Sequence, residues 1–145
     1  MAHQILVLNG PNLNLLGTRE PEVYGSETLA DILDDLRKYA AERDAELRDV
    51  QSNHEGALVD RLHEVRKWAD GVIFNPGAYT HYSYSLRDAI AATRLRVVEV
   101  HLSDLSQREP WRRVSVIADV AVHRIMGKGV AGYLEALEWL VAHPR

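Results

Sequence analysis

Gly71-Val72-Ile73-Phe74-Asn75-Pro76-Gly77 is a short strand-like run stopped by turn residues. A brief apolar segment bounded this way reads as a buried strand. Upstream, Leu58, Leu62, Val65 and Ala69 recur at helical spacing, and downstream Leu86 and Ile90 mark a shorter helix. The alternation extends in both directions. Ile5 to Leu8 is a second buried run, stopped by Asn9-Gly10-Pro11. Leu29, Ile32, Leu33, Leu36 and Ala40 form one stripe of a helix, with Ser26 as its expected N-cap, and Ala45 to Gln51 is a partly charged strand suited to a sheet edge. Leu95 to His101 predicts a fourth strand, and the second half of Val114 to Ile125 a fifth. Tyr133, Leu134, Leu137, Leu140 and Val141 predict a closing helix.

Strands alternating with helices, with hydrophobic strands, predict an α/β domain whose parallel sheet is covered on both faces. Right-handed crossovers leave few topologies, and five strands suit the flavodoxin-like order 2-1-3-4-5 over residues 1–145 as a single domain. Ligands of such sheets sit beyond the carboxyl ends of the strands. There the sequence turns polar: Asn9, Asn12 and Asn14 after the first strand; Gln51, Ser52, Asn53 and His54 after the second; Asn75, Thr80 and His81 after the third; Glu99, His101 and Ser103 at the fourth.

The chain has 145 residues, 46% hydrophobic and 26% charged, with a formal net charge of −4. That is enough chain for a core without staples, and its mild acidity argues against nucleic acid or an acidic membrane as partner. With no cysteine, disulfides, thiolate zinc sites, iron–sulfur clusters and a cysteine nucleophile are excluded. No apolar run approaches the ~20 residues of a membrane span, and Met1-Ala2-His3-Gln4 does not open like a signal peptide, so a soluble cytoplasmic protein is expected.

Pro11 to Gly25 is a long connection of the kind that forms lids. It carries Arg19, Glu20 and Tyr24. A tyrosine, with a reference pKa of about 10, becomes a base near neutrality only if a cation favours its phenolate, and Arg19 is such a cation. From spacing alone, a surface tyrosine stacked on a surface arginine is the plainer reading. Glu99 and His101, at i and i+2 of a strand, share a face with Cα atoms roughly 6.5 Å apart. A carboxylate beside an imidazole sets its tautomer and suits it to acid catalysis, although a structural histidine bonded to a carbonyl has the same spacing. Asn75-Pro76-Gly77 serves turn chemistry as readily as binding, less so His81. Arg108 and Arg112 would share a face if helical and suit a carboxylate, with a solvated charge cluster as the bland alternative.

Gly127-Lys128-Gly129-Val130-Ala131-Gly132 matches G-x-G-x-x-G but comes too late to open a βαβ unit, so the glycines are read as opening a helix and not as holding a dinucleotide. His54-Glu55 and His63-Glu64 fail H-E-x-x-H at Leu58 and Lys67. No phosphate loop or nucleophile elbow occurs, so no metal and no cofactor are expected. One candidate base, one acid, arginines and amides describe proton abstraction α to a carbonyl with loss of a leaving group, on a small anionic substrate.

These residues also carry a resemblance. Leu8-Asn9-Gly10-Pro11-Asn12-Leu13-Asn14-Leu15-Leu16-Gly17, Arg19-Glu20-Pro21, Tyr24-Gly25, Gln51-Ser52-Asn53-His54-Glu55-Gly56, Asn75-Pro76-Gly77-Ala78-Tyr79-Thr80-His81, Glu99-Val100-His101-Leu102-Ser103, Arg108-Glu109 and Gly132-Tyr133 follow in order along nearly the whole chain. The sequence thereby resembles the type II 3-dehydroquinate dehydratases. The resemblance implies a flavodoxin-like fold assembled as a homo-oligomer, a dodecamer of four trimers. It implies reversible dehydration of 3-dehydroquinate, a small anionic cyclic substrate, to 3-dehydroshikimate without cofactor. Carried over by motif, Tyr24 takes the C2 proton with Arg19 holding its phenolate, Asn12 stabilises the enolate through a water, and His101, oriented by Glu99, protonates the departing C1 hydroxyl. Asn75, His81, Leu102, Ser103 and Arg112 would bind substrate, and Asp88 would reach a neighbouring subunit's site.

The chain departs from the family pattern at Asp104, where Asn is usual, and at Pro110-Trp111-Arg112-Arg113-Val114-Ser115. Asp104 would weaken binding of an anion unless it points away or pairs with an arginine, and Pro110 would re-angle Arg112. Tyr82 and Tyr84 stand where smaller residues are usual and are expected to thicken the pocket wall or a subunit contact. These departures leave an alternative, a flavodoxin-like relative that binds its ligand without turnover.

Overall fold

Strands β1 (His3–Asn9), β2 (Ala45–Gln51), β3 (Gly71–Asn75), β4 (Val97–His101) and β5 (His123–Met126) form one sheet in the order β2-β1-β3-β4-β5, every adjacent pair parallel. The structure, a computed structural model, describes residues 2–18, 20–24 and 26–144, with the backbone but not the side chains of Pro21 and Tyr24. The helices are α1 (Pro21–Tyr24), α2 (Leu29–Glu42), α3 (Glu55–Val65), α4 (Tyr84–Thr93) and α5 (Ala131–Ala142). None of the helices among the described residues is long and apolar enough to cross a membrane.

The sheet separates two cores. Ile5, Val7, Ile73, Val98, Val100 and Ile125 pack against the inner stripes of α2 and α5, among them Ile32, Leu36, Leu137 and Leu140. Leu6, Leu8, Val72, Phe74 and Val97 pack against α3 and α4 through Leu58, Leu62, Leu86 and Ile90. Successive strand residues face opposite cores, so β1 over residues 5–8 and β3 over residues 72–74 are apolar in both phases, as a sheet covered on both sides requires, while β4 sets Glu99 and His101 in the phase of Val97. Edge strand β2, half exposed, carries the charges read as an edge signal.

Two local expectations are corrected. The N-cap of α2 is Thr28, not Ser26: Thr28 Oγ1 accepts from Asp31 N at 3.2 Å while Asp31 Oδ2 accepts from Thr28 N at 3.1 Å. This reciprocal capping box satisfies two helix-end amides that Ser26, two residues too early, cannot reach. Arg108 and Arg112 do not share a helical face. Arg108 ends one short 3₁₀ turn, Leu105–Gln107, and Arg112 lies in another, Pro110–Arg113, where Pro110 occupies the first position and breaks any continuous helix. The apolar stretch before β5 is mostly irregular. Ile117 is fully buried in the α3/α4 core, so that hydrophobicity comes from packing and not from a strand.

Candidate active site

Three strand ends bring the polar residues together. Asn9, Asn75 and His101 close β1, β3 and β4 and are buried, an expensive place for amides and an imidazole unless each finds partners. Tyr133 of α5 donates to Asn9 Oδ1 at 2.5 Å and accepts from Asn75 Nδ2 at 3.0 Å. Burial drives its phenol far above its ordinary pKa, so this hydroxyl stays protonated as a bridge. Asn75 Oδ1 in turn accepts from Gly77 N at 3.1 Å, which fixes the turn leading to His81. Gly77 takes a φ of 60°, the left-handed region where glycine is at ease. Asn12 adopts the same region at φ 69°, which asparagine tolerates best among side-chain-bearing residues, and its N–H donates to Asn53 Oδ1 at 3.1 Å.

Glu99 is fully buried yet ionised. Its Oε2 accepts from His101 Nε2 at 2.5 Å and Thr80 Oγ1 at 2.7 Å, Ser115 Oγ lies 2.9–3.0 Å from both oxygens, and Arg124 Nε stands 3.6 Å from Oε1. Burial pushes its pKa up. The hydrogen bond and charge of His101, the Thr80 hydroxyl and the Arg124 charge outweigh that and hold it below the ordinary value. The pairing expected from i, i+2 spacing is therefore present. The sequence placed Thr80 at the same rim without joining it to Glu99, and it did not associate Ser115 or Arg124 with the site. Only the β4–β5 register, which sets Arg124 directly opposite Glu99, could have exposed the last of them.

A cleft of about 570 Å³, counting its open mouth, lies over these strand ends and is lined by Pro11, Asn12, Asn75, His81, His101, Leu102, Ser103, Arg108 and Arg112 among others. His81 Nδ1 donates to Val114 O at 2.7 Å, and its ring stands edge-on to Trp111. Burial lowers its pKa, only partly offset by that hydrogen bond, with nearby His101 and Arg112 adding to the lowering. Arg112 reaches the cleft despite Pro110, held by Glu109 Oε2 at 3.0 Å and stacked on Trp111 at 4.1 Å. Arg108, offered by the sequence with Arg112 for a carboxylate, also lines the wall and donates to Ser103 Oγ at 3.0 Å. Asp104 does not face the cleft, because its Oδ1 accepts from Ser106 N and Oγ at 3.0 and 2.6 Å. Tyr82 and Tyr84 are exposed and line no part of it. Asp88 is exposed on α4, away from this chain's own cleft. Arg19 and the Tyr24 side chain lie outside the described residues. Asn12, Asn75, His81, His101, Leu102, Ser103 and Arg112 thus converge on one cleft, with Glu99 directly behind it.

The family description Dehydroquinase class II matches residues 3–141, and the chain belongs to that family. It is 56% identical over 137 residues to a 3-dehydroquinate dehydratase of Bacillus pumilus, covering 94% of this chain and 93% of that one. It is 52% identical over 143 residues to a catabolic 3-dehydroquinase of Verticillium alfalfae, covering 99% and 95%. The crystal structure of a type II dehydroquinase from Butyrivibrio crossotus superposes with a TM-score of 0.94 at 42% identity, covering 96% of this chain and 97% of that one.

Proposed function

We propose that this chain catalyses the reversible dehydration of 3-dehydroquinate to 3-dehydroshikimate by anti elimination through an enolate, without a cofactor. The observation that carries the reading is His101 at the cleft wall with Nε2 committed to a buried, ionised Glu99. An imidazole so held keeps Nδ1 for a transferable proton. Tyr24 removes the C2 proton with Arg19 stabilising its phenolate. The electron pair moves into an enolate that Asn12 stabilises through a water, and collapse of the enolate expels the C1 hydroxyl, which His101 protonates so that it leaves as water. Asn75, His81, Leu102, Ser103 and Arg112 hold the substrate's hydroxyls and carboxylate, and Arg108 adds a second cation to the same wall. The names of the similar proteins point to this reaction.

The assembly we propose is a trimer in which Asp88 reaches the neighbouring chain's cleft, four trimers making a dodecamer. The exposed Tyr82, Tyr84, Trp111 and Val114 support burial of that face against a partner. Purified protein given 3-dehydroquinate should generate the ultraviolet absorbance of a conjugated enone. Binding without any rise in absorbance would replace the enzyme with a silent relative.

A further inference from the structure

Arg124 poses a question the reaction does not answer. Its Nε and one Nη are buried and make no hydrogen bond among the described residues. A guanidinium in that position is costly unless a negative charge compensates it. The charge it faces is Glu99, 3.6 Å from Nε and directly opposite in the β4–β5 register. The Glu99 carboxylate is therefore divided: Oε2 serves His101 and Thr80, Oε1 faces Arg124, and Ser115 Oγ reaches both oxygens. Arg124 lines no part of the cleft and cannot act on substrate directly.

We propose that Arg124 is a positioning residue that sets the acid strength of His101 through Glu99. The inference rests on the reading of His101 as the acid. When His101 hands its proton to the leaving hydroxyl, Glu99 loses a cationic partner while remaining buried. Arg124 is the cation that stays. Its charge offsets that of Glu99, which would otherwise hold the imidazolium more tightly, and it repels the imidazolium directly. Both effects make His101 readier to release its proton. Among the described residues, the other charged groups around His101 are His81 before α4, Arg112 in the Pro110–Arg113 turn and Arg108 ahead of it, all on the cleft side. Asp104, at the start of the Leu105–Gln107 turn, feels Arg124 from outside the cleft, where Ser106 occupies it. Arg124 approaches the pair from β5.

The test compares Arg124→Met with Arg124→Lys by proton NMR titration of the His101 ring, its signal assigned by loss in His101→Gln. Arg124→Met, similar in length but neutral, should raise the His101 apparent pKa by about half a unit to one unit. Arg124→Lys should return it toward the wild-type value, and the basic limb of the kcat profile should move with it. If Met and Lys variants titrate alike, or neither moves the signal, Arg124 only fills space and the proposal is overturned. If Arg124→Met fails to fold, Arg124→Gln takes its place in the comparison with Lys. The titration needs no turnover, so it remains decisive even if His101→Ala proves active and the acid assignment itself fails.

Discussion

Glu99 gathers a histidine, a threonine, a serine and an arginine around one buried carboxylate. Replacing it by Gln keeps its shape but removes the charge that orients and supports the imidazolium. Glu99→Gln should lower kcat roughly 10- to 100-fold with little change in KM, as loss of a supporting partner to a working histidine commonly does; steady-state kinetics check this. Burial keeps the pKa of His81 low in the folded protein, while the unfolded chain takes up a proton at the ordinary value of about 6.5. Below that pH the unfolded state binds more protons, so stability falls as acid is added until the folded histidine also titrates. Urea midpoints at pH 7.5 and 5.5 should therefore differ more in the wild type than in His81→Asn. At this scale the sequence was readable wherever chemistry follows from local spacing, as for Glu99 and His101. It did not join Thr80, Ser115 or Arg124 to Glu99, because they meet it only after strands and turns distant in sequence have packed.

Gly10 carries an element-scale constraint. It leaves β1 beside the turn that follows β3, and its N–H donates to Asn75 O at 2.7 Å. A Cβ there would run into the carbonyl of Pro76, which is backbone and has little room to yield. Gly10→Ala should lower stability by about 1–3 kcal/mol as an overpacking change. It should also raise KM, since the Asn75–Gly77 turn carries cleft residues. Denaturant melts and steady-state kinetics read both, and an unchanged KM would show that the two strand exits are independent. The strands and helix stripes were legible because burial on both faces leaves an unbroken apolar run in β1 and β3, and an apolar run broken only by Glu99 and His101 in β4. The cap of α2 was misread because its box is closed by Asp31, one carbon shorter than the Glu or Gln of the familiar pattern. The stretch ahead of β5 was only partly readable, since Ile117 is apolar for a core that no local period reveals. The connection from Pro11, read as a loop or lid, contains a 3₁₀ turn at Leu13–Leu15 and the single turn of α1.

In the whole molecule, parallel strands point their carboxyl ends one way, so residues from β1, β3, β4 and the turns after them meet above a single edge of the sheet. That geometry gathers an amide-rich cleft from segments spread over a hundred positions, and the polar ends of the apolar runs announced it. What a lone chain does not display is the proposed role of Asp88 across an interface. If Asp88 completes a neighbour's cleft, Asp88→Asn and His101→Ala should each be poorly active alone, and particles assembled from both should regain activity; mixtures that stay inactive would confine the site to one chain. The proposed reaction needs a tyrosine that works as a base against a histidine acid, and the measurement that tests it is kcat for enone formation by Tyr24→Phe. A fall of at least about a hundredfold with KM nearly unchanged is the predicted result, the low end of what a positioned acid or base supplies. Turnover within a few-fold of wild type would contradict it and leave the cleft in need of another base.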